Sequence, residues 1–476
     1  MKRLIISTTL VFLLLGCSKD LTENKTEDQE KMVLTPEEIA SVAYDNPREL
    51  NEKEILVVLE DLKIFEDEAV KTKKNSLRFE IKGKSYADND GNLFKETSAV
   101  KTKGNNSDML PIYDVQVINS GEDIGKAMVS ADERLPVVLA YIPHTTESSD
   151  SNISIEENPL FQVALNTANT RIKYLEHLRD SLRERTIEKL TKRFGKLPDQ
   201  NVLSAIGGEV ISSQRISLKS SPVDGWGIPT AVISRVGPLT PTRWDQDSPY
   251  NLRMPSVPNC TKPHVSAGCL VVAGAQVLAF NAPTMSVRRP DNSLQAINWG
   301  LLTATQTISS SDVTKSEMVS NLMYDIFTKT QTEPKCNGSG TEMGKMVTYL
   351  KSFLQTVYNE TSLDVARVKL SLDQFKLSLG AGSRSTGQPG EKIRHAWVFD
   401  GYTIARKSTI NPNNGSNDLV NRYDFYLHAN LGWGPGTWLG TGWYLVGNDW
   451  TVTFEANSIQ HYNLDLTSVT HIGPKK

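Results

Sequence analysis

The chain has 476 residues, enough for two or three domains. Its 52 Lys and Arg against 55 Asp and Glu give a formal net charge of −3, so no basic excess is present to neutralise phosphates, and a nucleic-acid partner is not expected. A hydrophobic share of 38% with 22% charged residues fits a folded, water-exposed protein, and no segment after the N-terminus approaches the ~20 apolar residues that cross a bilayer.

Met1-Lys2-Arg3 is a basic opening, and Leu4 to Leu15 is a mostly apolar run. Together they predict an export signal over residues 1–16. The run ends Leu14-Leu15-Gly16-Cys17, which resembles the bacterial lipobox. That resemblance implies cleavage before Cys17 and lipidation of its thiol. The expected form is then an exported bacterial lipoprotein at the outer membrane or cell surface, with a processed form released. Residues 17–33 read as a polar tether without apolar periodicity.

A first region is expected over residues 34–194. Thr35-Pro36-Glu37-Glu38 places a cap, a proline and acids at a helix start. Asn51 begins a second helix that lines up Ile55, Val58, Leu59 and Leu62 on one face. A short strand is predicted at Leu77–Ile81. Paired strands follow over 111–143, where Tyr113, Val115 and Val117 alternate with polar residues. Asn158 to Phe194 reads as a long helix. Its Leu175, Leu178 and Leu182 do not persist over enough heptads for a coiled coil. Residues 195–230 give little signal and predict a processing linker. The last region, 231–476, is rich in Trp, Gly and turn signals. It carries helices at 269–280 and 316–327 and strands near 397 and 425, an α+β pattern.

Cys269 opens the 269–280 helix. Small residues lead in, an apolar amphipathic run follows, and Asn281-Ala282-Pro283 ends it. A thiol at a helix N-terminus feels the positive end of the dipole, which lowers its pKa and predicts a nucleophile. His395 and Asn430 come downstream. The order Cys, His, Asn is that of papain-like thiol proteases, and the Cys-to-His gap of 126 residues (395 − 269) is close to their roughly 130–150.

Four segments carry a closer resemblance. They are Trp244-Asp245-Gln246-Asp247-Ser248-Pro249-Tyr250-Asn251, Gly268-Cys269-Leu270-Val271-Val272-Ala273-Gly274-Ala275-Gln276, His395-Ala396-Trp397-Val398-Phe399-Asp400-Gly401-Tyr402 and His428-Ala429-Asn430-Leu431-Gly432-Trp433-Gly434. In this order they resemble the streptopain family of papain-like cysteine peptidases, and His264 matches a further His of the family motif. Residues 119–141 are similar to the family's propeptide strands.

The resemblance implies a papain-like peptidase domain over 231–476, preceded by a smaller α+β inhibitory pro-domain at 34–194. Residue by residue, it implies Cys269 as nucleophile, His395 as proton shuttle and Gln246 as oxyanion donor. Asn430 would fix the imidazole, and Trp433 would shield that contact. Protein or peptide substrates are expected, with room for a cognate protein inhibitor. The sequence departs from the family at Arg394 (Gly expected), Leu431 (an aromatic) and Pro435 (Gly). The substrate-binding Gly-rich loop is matched only by Asn337-Gly338-Ser339-Gly340. Ser339 and Arg394 are therefore the substrate-binding candidates.

No cofactor is expected. His144, His177, His461 and His471 lack metal-ligand spacing, and no Gly-rich phosphate loop is present. Cys260 and Cys336 either pair as an export-compatible disulfide or lie apart as buried thiols. The rival reading is a surface lipoprotein that keeps the fold but binds protein or host ligands without turnover.

Overall fold

The computed structural model describes residues 35–43, 47–65, 77–89, 91–95, 109–143, 158–194, 231–336, 338–385, 392–410, 419–434, 440–449 and 465–474. The predicted signal peptide, the tether with Cys17, the linker at 195–230, Asn337 and Pro435 lie outside these residues.

The N-terminal region opens with α1 (Pro36–Ala43) and α2 (Glu52–Leu59), followed by a 3-10 turn over Glu60–Phe65. Both helices start at the expected caps. Thr35 Oγ1 accepts from the Glu38 N–H at 3.2 Å, and the Glu38 carboxylate accepts from the Thr35 N–H at 3.1 Å. Asn51 and Glu54 form the same reciprocal box. The predicted stripe of Ile55, Val58, Leu59 and Leu62 is buried.

Five strands follow: β1 (Leu77–Ala87), β2 (Leu93–Lys95), β3 (Leu110–Asn119), β4 (Glu122–Ser130) and β5 (Val137–Pro143). β1 extends six residues past the short strand predicted at Leu77–Ile81. Pairing with β3 from Leu77↔Asn119 to Ala87↔Leu110 holds the lysine-bearing half, which has no apolar alternation of its own. The long helix is α3 (Pro159–Phe194), capped by Asn158 Oδ1, which accepts from the N–H groups of Leu160 and Phe161. Leu175 and Leu178, with Leu182 beside them, pack against Ala40 of α1.

The C-terminal region begins at β6 (Ala231–Val236) and continues through α4 (Cys269–Asn281), β7 (Ser286–Arg288), β8 (Leu294–Ala296), α5 (Trp299–Leu302), α6 (Val313–Lys329) and α7 (Met343–Lys351). After β9 (Leu354–Thr356), β10 (Thr361–Ser362) and α8 (Val365–Asp373) come β11 (Leu377–Ser385), β12 (Lys392–Ile410), β13 (Leu419–Asn430), β14 (Gly442–Asp449) and β15 (Thr467–Pro474). The α+β class expected from sequence is the observed one.

One antiparallel sheet runs through both regions in the order β10-β15-β11-β12-β13-β14-β5-β4-β3-β1-β2, with β6 added to β12 and β9 to β15. The two regions separated by the predicted linker meet at β14 and β5, where Trp443 pairs with Tyr141 and Tyr444 with Ala140. Two cores result. One joins α2, β3–β5 and α3 to Trp397, Phe399, Tyr426 and Trp443 of the central strands β12–β14. The other surrounds α4, α6 and α7 and is built from residues of the C-terminal region. Cys260 and Cys336, left open by the sequence, form a disulfide with Cα atoms 5.3 Å apart, closing a separation of 76 residues.

Candidate active site

Cys269 is the first residue of α4, half-buried and not disulfide-bonded. Gly268 before it has φ 95° and ψ 138°, and a Cβ there would stand 2.7 Å from the Ser339 carbonyl oxygen. Only glycine fits that turn. The Gly268 carbonyl accepts from the Val272 N–H at 3.1 Å, which starts the helix. Residues from Leu270 to Ala279 are all buried. The expected amphipathic helix is therefore corrected. Strands β11, β12 and β15 cover one side of α4 while α6 and α7 cover another, so no polar face is needed.

His395 lies near the start of β12 and is buried. Its Nε2 is 2.8 Å from the Leu431 carbonyl oxygen. A carbonyl only accepts, so Nε2 carries the proton and Nδ1 holds the lone pair. The Trp433 ring lies 4.3 Å from the imidazole, centroid to centroid, and Trp397 lies 6.3 Å away. Trp433 thus covers the imidazole itself, whereas the resemblance gave it the Asn430–His395 contact to shield.

Asn430 is placed differently. Its Nδ2 donates to the Thr242 carbonyl at 2.7 Å and to Gln276 Oε1 at 2.9 Å. Its Oδ1 accepts from the Gly432 N–H and the Thr441 hydroxyl, both at 3.2 Å. It makes no hydrogen bond to His395. Strand register gives the reason. Asn430 pairs with Val398, which belongs with Ala396 to the core around α4, whereas Trp397 and Phe399 belong to the other core. Successive strand residues face opposite sides, so Asn430 and His395 diverge. The neighbouring backbone carbonyl of Leu431 takes the orienting role instead.

Gln246 is brought to the nucleophile segment: its carbonyl accepts from the Ala267 N–H at 2.8 Å, two residues before Cys269. The half-buried Gln246 side-chain amide makes no hydrogen bond among the described residues, so its donors stay available. The segment leading to it is fixed at two points. The Asp400 carboxylate accepts from the N–H and hydroxyl of Thr240, and buried Gln276 of α4 accepts from the Trp244 N–H at 3.1 Å. Gln276 also accepts from the Thr242 hydroxyl at 3.3 Å, so it ties α4, the lead-in segment and Asn430 together. Sequence reasoning gave Gln276 no role; a lone glutamine within an apolar helix was the available signal.

Of the substrate-binding candidates, Ser339 is beside Gly268 but commits its hydroxyl to the Ser266 carbonyl at 2.7 Å. Arg394 is exposed on β12, opposite Ser383 of β11. His264 sends Nδ1 to the Met254 carbonyl at 2.8 Å, which gives it a loop-bracing contact.

Burial pushes the Cys269 thiol above its ordinary range, and the N–H groups of Ala396 and Leu270 offset this only in part. Burial also lowers His395 to about 4, against a smaller opposing pull from the Leu431 carbonyl. Near neutral pH the resting pair is thus a thiol and a neutral imidazole, with no hydrogen bond between them. This reverses the depressed thiol pKa expected from the helix start, because desolvation outweighs the helix N-terminus here.

Residues 244–444 match the Peptidase C10 family. The C10-matching region begins at Trp244 and ends at Tyr444 of β14, so it takes in all four segments that carried the streptopain resemblance. No curated protein matches the chain. Among solved structures, the chain is similar to a prointerpain A fragment from Prevotella intermedia that carries a Cys-to-Ala substitution. Identity is 16% and the TM-score 0.41, over 77% of this chain and 96% of that one. It is also similar to active wild-type interpain A, a cysteine protease of the same organism, at 18% identity and a TM-score of 0.35, over 51% of this chain and 96% of that one.

Proposed function

We propose that the protein is a cysteine-type endopeptidase made as a lipid-anchored zymogen. The observation that carries the reading is Cys269 at the first position of a buried helix within the C10-matching region. The backbone of Ala396, the residue after His395, is among the groups that pull the Cys269 thiol pKa down against burial. In the reaction, the Cys269 proton passes to His395 Nδ1, the nitrogen left open by the Leu431 contact. The thiolate then attacks the scissile carbonyl. The Gln246 amide and the Cys269 N–H stabilise the oxyanion, and imidazolium returns the proton to the leaving amine. Water, deprotonated by the same imidazole, hydrolyses the thioester and regenerates the thiol.

The resting geometry supports latency: neutral groups without a mutual hydrogen bond do not form the reactive ion pair. Activation would then require the imidazole and thiol to meet. The Leu14-Leu15-Gly16-Cys17 run supports lipid anchoring at a bacterial membrane. Protein or peptide substrates follow from the endopeptidase reading, as does scope for a cognate inhibitor.

The same elevated thiol and depressed imidazole favour a second reading, a surface lipoprotein that binds protein ligands without turnover. Casein hydrolysis by processed wild type and by Cys269→Ala separates the two. The peptidase reading expects turnover in the first and none in the second. Absence of turnover in processed wild type, with iodoacetamide labelling of Cys269 rising only at alkaline pH, would favour the binding reading.

A further inference from the structure

Gln246 has both backbone groups engaged and its side-chain amide free. Its carbonyl accepts from the Ala267 N–H at 2.8 Å. Its N–H donates to Oδ1 of the preceding residue, Asp245, at 2.5 Å, and the Asp247 N–H lies 3.4 Å from the same oxygen. One carboxylate oxygen thus closes a local turn with Gln246 at its centre. The turn is braced from its far side. Asp247 accepts from the Ser266 hydroxyl at 2.7 Å and from Lys262 Nζ at 2.5 Å.

The other oxygen of Asp245 reaches the segment that carries Trp433. Gly434 has φ 71°, and a Cβ there would stand 2.7 Å from Asp245 Oδ2. The Gly434 N–H donates to the Trp244 carbonyl at 3.3 Å on the same approach. Asp245 is therefore wedged between the Gln246 turn and the segment whose Trp433 ring covers His395. Burial raises its carboxyl above the ordinary range, while the N–H groups of Gln246 and Asp247 pull it down. Those N–H groups are what compensate the carboxylate for lost water, and it fixes them in return. An oxyanion donor works only if it is aimed beforehand where charge develops. The direction of the Gln246 amide is set by the backbone at its own Cα.

We infer that Asp245 is a positioning residue for the oxyanion site: by fixing the backbone at Gln246, it aims the Gln246 side-chain amide at the developing charge. The inference rests on the peptidase reading, in which that amide is an oxyanion donor. Asp245 touches no reacting atom, so its effect has to pass through Gln246.

The test compares processed wild type, Asp245→Ala, Asp245→Asn, Gln246→Ala and the Asp245→Ala, Gln246→Ala double variant on one peptide substrate. Asp245→Ala is expected to lower kcat by about tenfold or more, with KM and the rate of Cys269 alkylation by iodoacetamide within about twofold of wild type. Asp245→Asn keeps an acceptor oxygen in place and should restore kcat to within about threefold. In the Gln246→Ala background, Asp245→Ala should cost nothing further. Asp245→Glu, whose longer arm cannot keep both contacts, should behave as Asp245→Ala and serves if the alanine variant does not fold. Wild-type kcat in Asp245→Ala and Asp245→Glu, no rescue by asparagine, or additive losses in the double variant would each overturn the inference.

A second readout needs no turnover. Hydrogen–deuterium exchange is followed over residues 240–250 of the full chain in the Cys269→Ala background. Adding Asp245→Ala should speed exchange of the Gln246 amide by about tenfold. Unchanged exchange would overturn the inference. Faster exchange, with no turnover by processed wild type, would count against the peptidase reading and not against the hold of Asp245 on Gln246.

Discussion

Gln276 and Asn430 face each other as a reciprocal amide pair, each donating to the other's carbonyl oxygen, at 3.2 and 2.9 Å. One belongs to the helix that starts at Cys269. The other ends the strand whose next residue, Leu431, holds His395. Their contact therefore joins the two halves of the site through buried side chains.

That pairing predicts strong coupling. Gln276→Met keeps volume but leaves the Trp244 N–H without its acceptor, takes the Gln276 donor from Asn430 Oδ1 and leaves Asn430 Nδ2 with the Thr242 carbonyl alone of its two close acceptors. Each orphaned buried group costs about 1–3 kcal/mol. Gln276→Met and Asn430→Leu should each lower unfolding stability by that order, and the double variant by clearly less than their sum. A urea double-mutant cycle with additive losses would show that the amides do not act as a unit.

The buried imidazole predicts a pH signature. His395 is lowered to about 4, so in the folded protein it stays neutral where an unfolded histidine, near 6.5, takes up a proton. Above pH 6.5 both states are neutral and nothing is lost. As pH falls from about 6.5 toward 4, the unfolded state gains, and stability should drop by up to about 3 kcal/mol. His395→Phe should flatten that part of the stability curve. Equal acid sensitivity in variant and wild type would mean that the imidazole is not held neutral.

Gln246 and His395 should fail differently once the site is active. Gln246→Ala should keep an alkylatable Cys269 yet lose kcat by about 10²–10³, the effect of removing one oxyanion donor. His395→Ala should lose labelling near neutral pH along with turnover. Wild-type kcat in Gln246→Ala would move the oxyanion role to other donors.

The disulfide ties the Cys260 loop to the hairpin that presents Ser339 beside Gly268. Its closed loop of 76 residues corresponds to about 4 kcal/mol in the chain-entropy model. Joint Cys260→Ser and Cys336→Ser replacement should cost about 2–4 kcal/mol in thermal or urea unfolding. A loss near zero would mean that the reduced loops hold their places without it.

Much of this was legible before any coordinates. The caps at Thr35 and Asn51, the apolar face of α2 and the helix start at Cys269 all follow local rules, and local rules fixed them. The candidate residues were singled out by motif order; Trp433 packs on the His395 imidazole and the Gln246 carbonyl meets the segment before Cys269. Asn430 was misjudged because strand parity depends on register with β12, which spacing along one chain does not reveal. The two pKa directions were also beyond reach: the helix N-terminus is local, whereas desolvation of Cys269 and His395 is contributed by distant elements. The continuity of the sheet past the linker was hidden for the same reason, since β5 carries no mark that its partner is β14.

That late partner sets an order of events during synthesis. Tyr141 and Trp443 are 302 positions apart (443 − 141), so the free edge of β5 waits for nearly the whole remaining polypeptide before it is covered. At about 5–20 residues per second, the delay is about 15–60 s. An uncovered strand edge is a template for wrong pairing. The nascent chain thus passes through a long interval in which its own N-terminal half is sticky, and holding that half unfolded or shielded until the last strands emerge becomes a condition for reaching the native sheet.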